Sequence, residues 1–542
     1  MSGGPRRDTK WWGWGDPDEE PRVPEESLAV LREAIGDAEP WTRPGAAEEV
    51  RLPEPRRLPP SLTEAVGAEW VLTGHEDRVR HAVGRGYADL ARLRRGGLER
   101  APDAVILPAR PGQVERVLEI CSAERIAVVP FGGGSSVVGG VEPLAGEHGR
   151  VVTLDLSRLR EVEVDRRSLT ARLGAGLRGP EAEAELGAHG LTLGHFPQSF
   201  EYATIGGFAA TRSAGQASSG YGRFDALVTS ARLLSPAGAL ETGESPHTAA
   251  GPALREVVVG SEGVLGVIPD VTVRVRPAPA ARRYEGWFAE SFEAGAEIVR
   301  AMAQEGTLPD VVRVSDEEET RVSMALSGPG GTAGRLFDSY LGLRGKRDGC
   351  VVIIGVEDDR EAAARRRALA VRKLRAGGAA YVGRAAGRSW ASGRYHGPYL
   401  RDALLDQGAM VETLETSHTW SGLRRLYEGV RDAIRGALDR QGTPGLVFCH
   451  LSHAYPDGAS LYFTFIARRR PGDELGQWAA VKGAASEAIV GAGGTITHHH
   501  AIGRDHLPYM ESEVGPLGLG ALQAVKDRLD PAGIMNPGKL LP

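Results

Sequence analysis

Pro130-Phe131-Gly132-Gly133-Gly134-Ser135-Ser136 is the stretch on which the reading of this chain turns. It follows Arg125-Ile126-Ala127-Val128-Val129, a short apolar run with the character of a buried strand. Three glycines then remove every Cβ from the turn, so main-chain N–H groups can approach a ligand closely. Successive N–H groups make an anion cradle, two hydroxyls extend it, and a pyrophosphate is its natural guest. Taken alone, a glycine-rich turn is more often plain loop geometry. Further small-residue elements strengthen the case: Thr204-Ile205-Gly206-Gly207, then Thr211-Arg212-Ser213-Ala214-Gly215, then Gly260-Ser261-Glu262-Gly263-Val264-Leu265-Gly266-Val267-Ile268. None fits the single G-x-G-x-x-G of a Rossmann unit, and no G-x-x-x-x-G-K-[ST] is present. Several separated glycine-rich strand ends around one ligand point to a long cofactor lying extended across a domain.

Outward from that loop, strand and helix patterns alternate from Ala104 to Pro277, with a helix expected from Pro111 to Ala123 and another from Gly179 to Gly190. Residues 1 to about 60, rich in proline and charge, read as an extended arm, and its tryptophans argue that part of it docks on the chain's own body. Residues from about 60 to 100 read as helical. From about Tyr284 to Gly494, helical segments alternate with strands at 350–356, 446–451 and 460–466, which suits helices over one face of an antiparallel sheet. The division expected is 1–100 arm and helical region, 101–280 cofactor domain, 281–494 second domain, and 495–542 a return to the cofactor domain, with a closing helix over Gly515 to Leu529.

P-F-G-G-G-S-S, T-I-G-G and G-S-E-G-V-L-G, in this order and spacing, resemble the FAD domain of the vanillyl-alcohol oxidase/p-cresol methylhydroxylase flavoproteins. Within that group the chain is most similar to the alkyldihydroxyacetonephosphate synthases, flavoenzymes of ether-lipid synthesis. The closer match rests on Trp11-Trp12-Gly13-Trp14-Gly15, on Gly194-His195-Phe196-Pro197 and on His498-His499-His500. The ending, Asp530-Pro531-Ala532-Gly533-Ile534-Met535-Asn536-Pro537-Gly538-Lys539-Leu540, matches the wider group. The resemblance implies an α+β fold: a two-part FAD-binding domain with an antiparallel-sheet-plus-helices substrate cap. It also implies non-covalent FAD, held by Pro130, Phe131, Gly132, Gly133, Gly134, Ser135, Ser136, Gln198, Ser199, Thr204, Gly206, Gly207, Thr211, Arg212, Ser213, Ala214, Glu262, Gly263, Gly266, Val267 and Ile268. The activity implied is exchange of the acyl group of acyl-dihydroxyacetone phosphate for a fatty alcohol, without net redox change. The rival is an FAD oxidoreductase acting on a 2-hydroxy acid or an alcohol.

The same resemblance places Tyr462, Arg313 and His498, His499 and His500 in the active site. On pattern alone, Tyr462 shares a strand face with Thr464, opposite Leu461, Phe463 and Phe465, and a tyrosine finishing a sheet face is the plain alternative. Arg313 is a lone cation among apolar residues, otherwise a stray edge-strand arginine. In an extended segment His498 and His500 would share a face and His499 oppose them; histidine charge is tunable near neutral pH. No metal is expected, because zinc draws ligands at helix or loop spacing. Ala501 stands where the family has glycine. Gly422 and His450 stand where it has arginines associated with substrate phosphate, which bears directly on phosphate recognition.

A chain of 542 residues is too long for one core, and its 41% hydrophobic and 25% charged residues are ordinary for a globular protein. A net charge of −6 gives no footprint for nucleic acid. The arginine-rich runs Arg92-Leu93-Arg94-Arg95 and Arg365-Arg366-Arg367 read as solvated helix faces. Cys121, Cys350 and Cys449 form no disulfide framework, which fits a reducing cytoplasm. No membrane-spanning run or leader is expected; peripheral membrane contact and a homodimer are both compatible with a lipid-type substrate.

Overall fold

The apolar runs flanking the glycine-rich loop become strands of one small sheet. In the computed structural model, which describes residues 8–19, 23, 25–327 and 331–542, β1 (Val71–Leu72), β2 (Ala104–Ile106), β3 (Ile126–Phe131) and β4 (Arg150–Asp155) lie in the order β1-β2-β4-β3. β2, β4 and β3 run parallel, and the helix Pro111–Glu124, opened by proline at its first position, makes the crossover. Next come β5 (Val162–Asp165), β6 (Thr170–Gly174), β7 (Leu191–Thr192), β8 (Val228–Ser235), β9 (Gly238–Glu241) and β10 (Asp270–Arg274). All but β7 form an antiparallel sheet, β5-β6-β10-β8-β9, while β7 pairs with β11 (Arg276–Pro277). The C-terminal segment closes on this half of the molecule: Val128 exchanges main-chain hydrogen bonds with Ile534 and Asn536.

The remaining strands, β12 (Ala281–Ala289), β13 (Val311–Ser315), β14 (Cys350–Asp358), β15 (Ala380–Gly383), β16 (Ala409–Thr419), β17 (Gly445–Ala454) and β18 (Gly458–Arg468), build one antiparallel sheet. Their order is β15-β12-β14-β13-β17-β18-β16. Strict alternation on β18 sends Leu461, Phe463 and Phe465 into the core, where the helix Trp420–Arg440 meets them with Leu423, Leu426, Val430 and Ile434 at helical spacing. The opposite face, with Tyr462, Thr464 and Ile466, looks into a cavity. A two-part FAD-type domain with an antiparallel cap sheet is the architecture. β13 lies inside the sheet, so Arg313 is no edge residue.

Three local expectations change. The arm contains a helix, Glu25–Ile35, and Trp11, Trp14 and Trp41 are buried, so it is a docked element and not an extended one. Residues 60–100 break into the helices Pro60–Val66, His75–Arg80 and Tyr87–Arg94, with β1 between the first two, because glycines at 67, 74, 84 and 86 interrupt the pattern. The arginine runs are tethers as well as surface: buried Arg94 bonds Asp406 at 2.9 Å, and Arg367 bonds the buried Glu285.

Candidate functional site

The glycine-rich loop, the segments 197–216 and 262–268, and the open face of the cap sheet enclose a cavity of about 490 Å3. That volume lies in the range of small-molecule and cofactor sites. Pro130 to Ser136, Gln198, Ser199, Thr204, Gly206, Gly207, Thr211, Ser213, Ala214, Glu262, Gly263, Gly266 and Ile268 all line it. Two of the expected cofactor residues do not. Arg212, at φ 50°, turns its side chain away to the carbonyls of Val259 and Glu256 and to Asp225. Val267 is consumed by a two-way main-chain pairing with Leu234 and is fully buried in the core.

The cradle requires glycine for two different reasons. A Cβ built on Gly133 would lie 2.0 Å from the Tyr202 carbonyl oxygen, and one on Gly132 2.3 Å from the Thr204 hydroxyl. Those glycines let the loop press against the 202–204 segment. Gly134 adopts φ 62°, where a side chain is strained. Thr204 also caps the helix Ile205–Ala210 through its side chain and the Gly207 N–H. The N–H groups of Ile205 and Gly206 are taken by the carbonyls of Leu177 and Ala175, so it is the glycine-rich turn whose main chain offers the wall a pyrophosphate fits. Glu262, at φ 51°, accepts N–H bonds from Ile502 and Gly503 at 2.8 and 2.7 Å, sewing this wall to the C-terminal segment. Burial raises its pKa to about 7, with the two N–H groups only partly offsetting it.

Strand register assembles the reactive face. Tyr462 on β18 lies opposite Glu415 on β16 and His450 on β17, and His450 lies opposite Ser315 on β13. Directly opposed residues share a sheet face, so one row crosses four strands, and Arg313 sits two residues from Ser315 on the same face. The Tyr462 ring stacks on His450 at 4.9 Å, with His499 and His500 at 6.1 and 5.6 Å. Burial pushes the Tyr462 phenol up to about 12, with Thr413 pulling the other way, so it holds its proton at neutral pH.

Arg313 donates from Nη2 to Glu319 at 2.6 Å and from Nη1 to His450 Nε2 at 3.1 Å, while His450 Nδ1 lies 3.3 Å from Glu319. An arginine can only donate, so the His450 Nε2 that faces it is the acceptor and Nδ1 carries the proton. The three side chains close a ring. Burial and then Arg313 lower the His450 pKa; for Glu319, burial is outweighed by Arg313 and His450, and the carboxyl is held far down.

The triple histidine is not extended. The N–H groups of His498, His499 and His500 converge on Glu415 at 2.6, 3.0 and 2.8 Å, joined by the Thr497 hydroxyl at 2.5 Å. Alternating strand N–H groups could not meet on one carboxylate, so the segment curls around it. Burial works to raise the Glu415 pKa, but His499, His500 and His498 outweigh it and hold it well below the usual value. Burial drives the other way in the histidines, lowering His500 to about 3 and His498 and His453 well below their ordinary value. His499 and His500 line the cavity; His498 stands behind them, bonded to the Tyr455 hydroxyl at 2.8 Å and stacked on His453. Glu415, His498 and His499 bring ligand atoms within 4.8 Å of one another, yet the carboxylate's lone pairs are already occupied by protein donors.

Sequence reasoning did not single out Glu415, Glu319, Arg401 or Arg85. No local signal marked Glu415, because its strand also carries Glu412, Thr413, Thr416, Ser417 and His418. Gly422 lies off the cavity, and the His418 ring fills the space above it: a Cβ there would fall 2.1 Å from His418 Cε1. His450, by contrast, stands in the cavity itself. Leu400, Leu404, Val411, Phe448 and Ile466 give one part of the cavity an apolar wall.

Comparison with known proteins agrees with this geometry. Residues 102–243 match the family model described as FAD binding domain, and residues 278–540 match FAD linked oxidases, C-terminal domain. The chain is 32% identical to alkyldihydroxyacetonephosphate synthase of Trypanosoma brucei brucei, across 98% of this chain and 92% of that protein. A solved alkyldihydroxyacetonephosphate synthase superposes with a TM-score of 0.84 at 28% identity, covering 98% of this chain and 99% of the other. p-Cresol methylhydroxylase, at 15% identity and a TM-score of 0.65, covers 88% of this chain and 95% of its own, and shares the fold.

Proposed function

The chain belongs to the alkyldihydroxyacetonephosphate synthase family of FAD-linked enzymes, and on that premise we propose how its residues carry the exchange of an acyl for an alkyl group on dihydroxyacetone phosphate. The observation that carries the reading is the cross-strand row in which His450 and Tyr462, with Arg313 beside them, line a cavity that is both glycine-cradled and apolar-walled, while Ser315 and Glu415 continue the row outside its lining.

Bound FAD supplies the covalent chemistry of the exchange and ends at its starting oxidation level. Pro130 to Ser136 would hold it through main-chain groups and the hydroxyls of Ser135 and Ser136, with the Thr204 and Ser213 hydroxyls on the same cavity wall. The binding is non-covalent: His195, the nearest candidate for a flavin link, is tied to the Ser213 hydroxyl at 3.0 Å behind the wall, and all three cysteines are buried away from the cavity. Leu400, Leu404, Val411, Phe448 and Ile466 take the alkyl chain and exclude water. Arg313, oriented by Glu319, faces the anionic end of the substrate. Tyr462, which keeps its proton at neutral pH, returns a proton to the dihydroxyacetone carbon, and the neutral imidazole of His500 beside it accepts the one that leaves, while both nitrogens of His450 stay engaged by Arg313 and Glu319.

FAD-loaded protein given acyl-dihydroxyacetone phosphate and hexadecanol should release one fatty acid per alkyl product, with no lasting loss of flavin colour. Lasting reduction by a 2-hydroxy acid, without that exchange, would establish the oxidoreductase reading in its place.

A further inference from the structure

Gly84-Arg85-Gly86 is laid against the far end of the glycine-rich loop. A Cβ on Gly84 would lie 2.2 Å from the Ser136 carbonyl oxygen, and one on Gly86 2.7 Å from that of Val137. The Arg85 N–H donates to the Ser136 carbonyl at 2.6 Å. Glycine on both sides therefore brings this one arginine to the cavity, which it lines together with Ser135, Ser136 and Arg401.

Arg85 is buried, at 8% exposure, and its guanidinium is held on two sides. Nη1 donates to the Gly84 carbonyl at 2.9 Å and Nη2 to that of Lys10, on the tryptophan-bearing arm, at 3.1 Å. A guanidinium has five N–H groups, so two carbonyls orient it and leave donors over. No carboxylate among the described residues forms an ion pair with it. The acids that act on it from farther away are engaged elsewhere: Asp402 with Arg401 and the Trp14 N–H, Asp89 with Arg92 and the Gly86 N–H. Burial lowers its pKa only to about 10, so it is charged at neutral pH. A buried cation without a counter-charge is costly, and a ligand that supplies the negative charge removes the cost.

We propose that Arg85 is an anion-binding residue of the cavity that takes a phosphate group at the end of the glycine-rich loop. The inference rests on the cavity being the FAD and substrate site. Two phosphates answer this chemistry, the cofactor's pyrophosphate and the phosphate of the substrate.

Arg85→Gln keeps an amide donor for the carbonyls and removes the charge; Arg85→Lys keeps the charge and removes the fork. FAD affinity is read from quenching of flavin fluorescence on reloading apoprotein, and phosphate affinity by calorimetry of FAD-loaded protein with inorganic phosphate as the probe. If the cofactor supplies the anion, Arg85→Gln weakens FAD binding by about 10- to 100-fold, the range for losing a charged hydrogen bond. If the substrate supplies it, FAD affinity holds and inorganic phosphate binding falls by a similar factor. Arg85→Lys recovers part of either loss, and it carries the test alone should the glutamine variant fail to fold. Affinities within twofold of wild type for both ligands would overturn the proposal. Neither readout depends on turnover, so a failed synthase assay and a failed Arg85 assignment are separate results.

Discussion

Tyr462 has the surroundings of a proton-handling group: its ring is stacked on an imidazole and its phenol is pushed up to about 12 by burial. Tyr462→Phe preserves the ring and removes only the acid–base group. We expect normal FAD binding and a loss of turnover of about two to four orders of magnitude. Near-native turnover would leave Tyr462 a packing residue. Glu415 yields a second prediction, in the acid range. Its folded pKa is depressed below the ordinary 4.5, so the unfolded chain takes up a proton first, and stability present above pH 4.5 is lost as pH falls below it. In Glu415→Gln that acid-dependent loss should shrink by up to one proton's worth of slope. The variant should also be less stable than wild type at pH 7, by about 2 kcal/mol for a lost charged hydrogen-bond set. Urea melts at pH 7 and pH 4 check both; an unchanged slope would remove Glu415 as the titrating group. At this scale the face of Tyr462 was legible, because strand alternation is local. That His450 and Glu415 are its neighbours was not, because register across three strands is a long-range property.

Among the elements, the glycine-rich loop was predicted to exclude side chains from a pyrophosphate, and the structure adds a nearer obstacle. The Gly133 Cβ position points at the Tyr202 carbonyl, so Gly133→Ala moves the loop off the 202–204 segment before any ligand arrives. The expected outcome is a folded protein whose FAD affinity falls at least tenfold; an unchanged affinity would show that the loop has slack. The arm makes a matching prediction. Trp14 is buried, packs edge-on to Tyr202 at 5.2 Å and lines the cavity, while its main-chain N–H, which any residue there would keep, bonds Asp402. Trp14→Ala should cost about 3 kcal/mol in a denaturant melt, the lower range for emptying a buried aromatic site. A cost below about 1 kcal/mol would mean the arm is held elsewhere. Tryptophans in a proline-rich stretch signalled docking, but what they dock on is tertiary. The curl of His498 to His500 was illegible for the same reason: the carboxylate it wraps lies 83 residues earlier in the chain.

Across the whole molecule, the proposal that FAD binds non-covalently has a direct consequence. Acid precipitation should leave the flavin in the supernatant, and a yellow pellet would mean a covalent link. Saturating FAD at 100 times its dissociation constant should stabilise the fold by about 2.7 kcal/mol, seen as a rise in Tm that depends on FAD concentration. The sequence by itself carried the glycine-rich elements and the strand alternation, which are written locally, and its resemblance to the FAD flavoproteins implied the two-part architecture. The same resemblance implied that Tyr462, Arg313 and the histidines belong to one site. Only the tertiary structure decided which partners they meet. Antiparallel pairing set His450 and Glu415 beside Tyr462, the turn into the helix Glu317–Ser327 brought Glu319 to Arg313, and the packing of Gly84 and Gly86 on the loop carried Arg85 to the cavity. Such meetings depend on strand order and on contacts between residues far apart in the chain, which no local pattern of residues encodes.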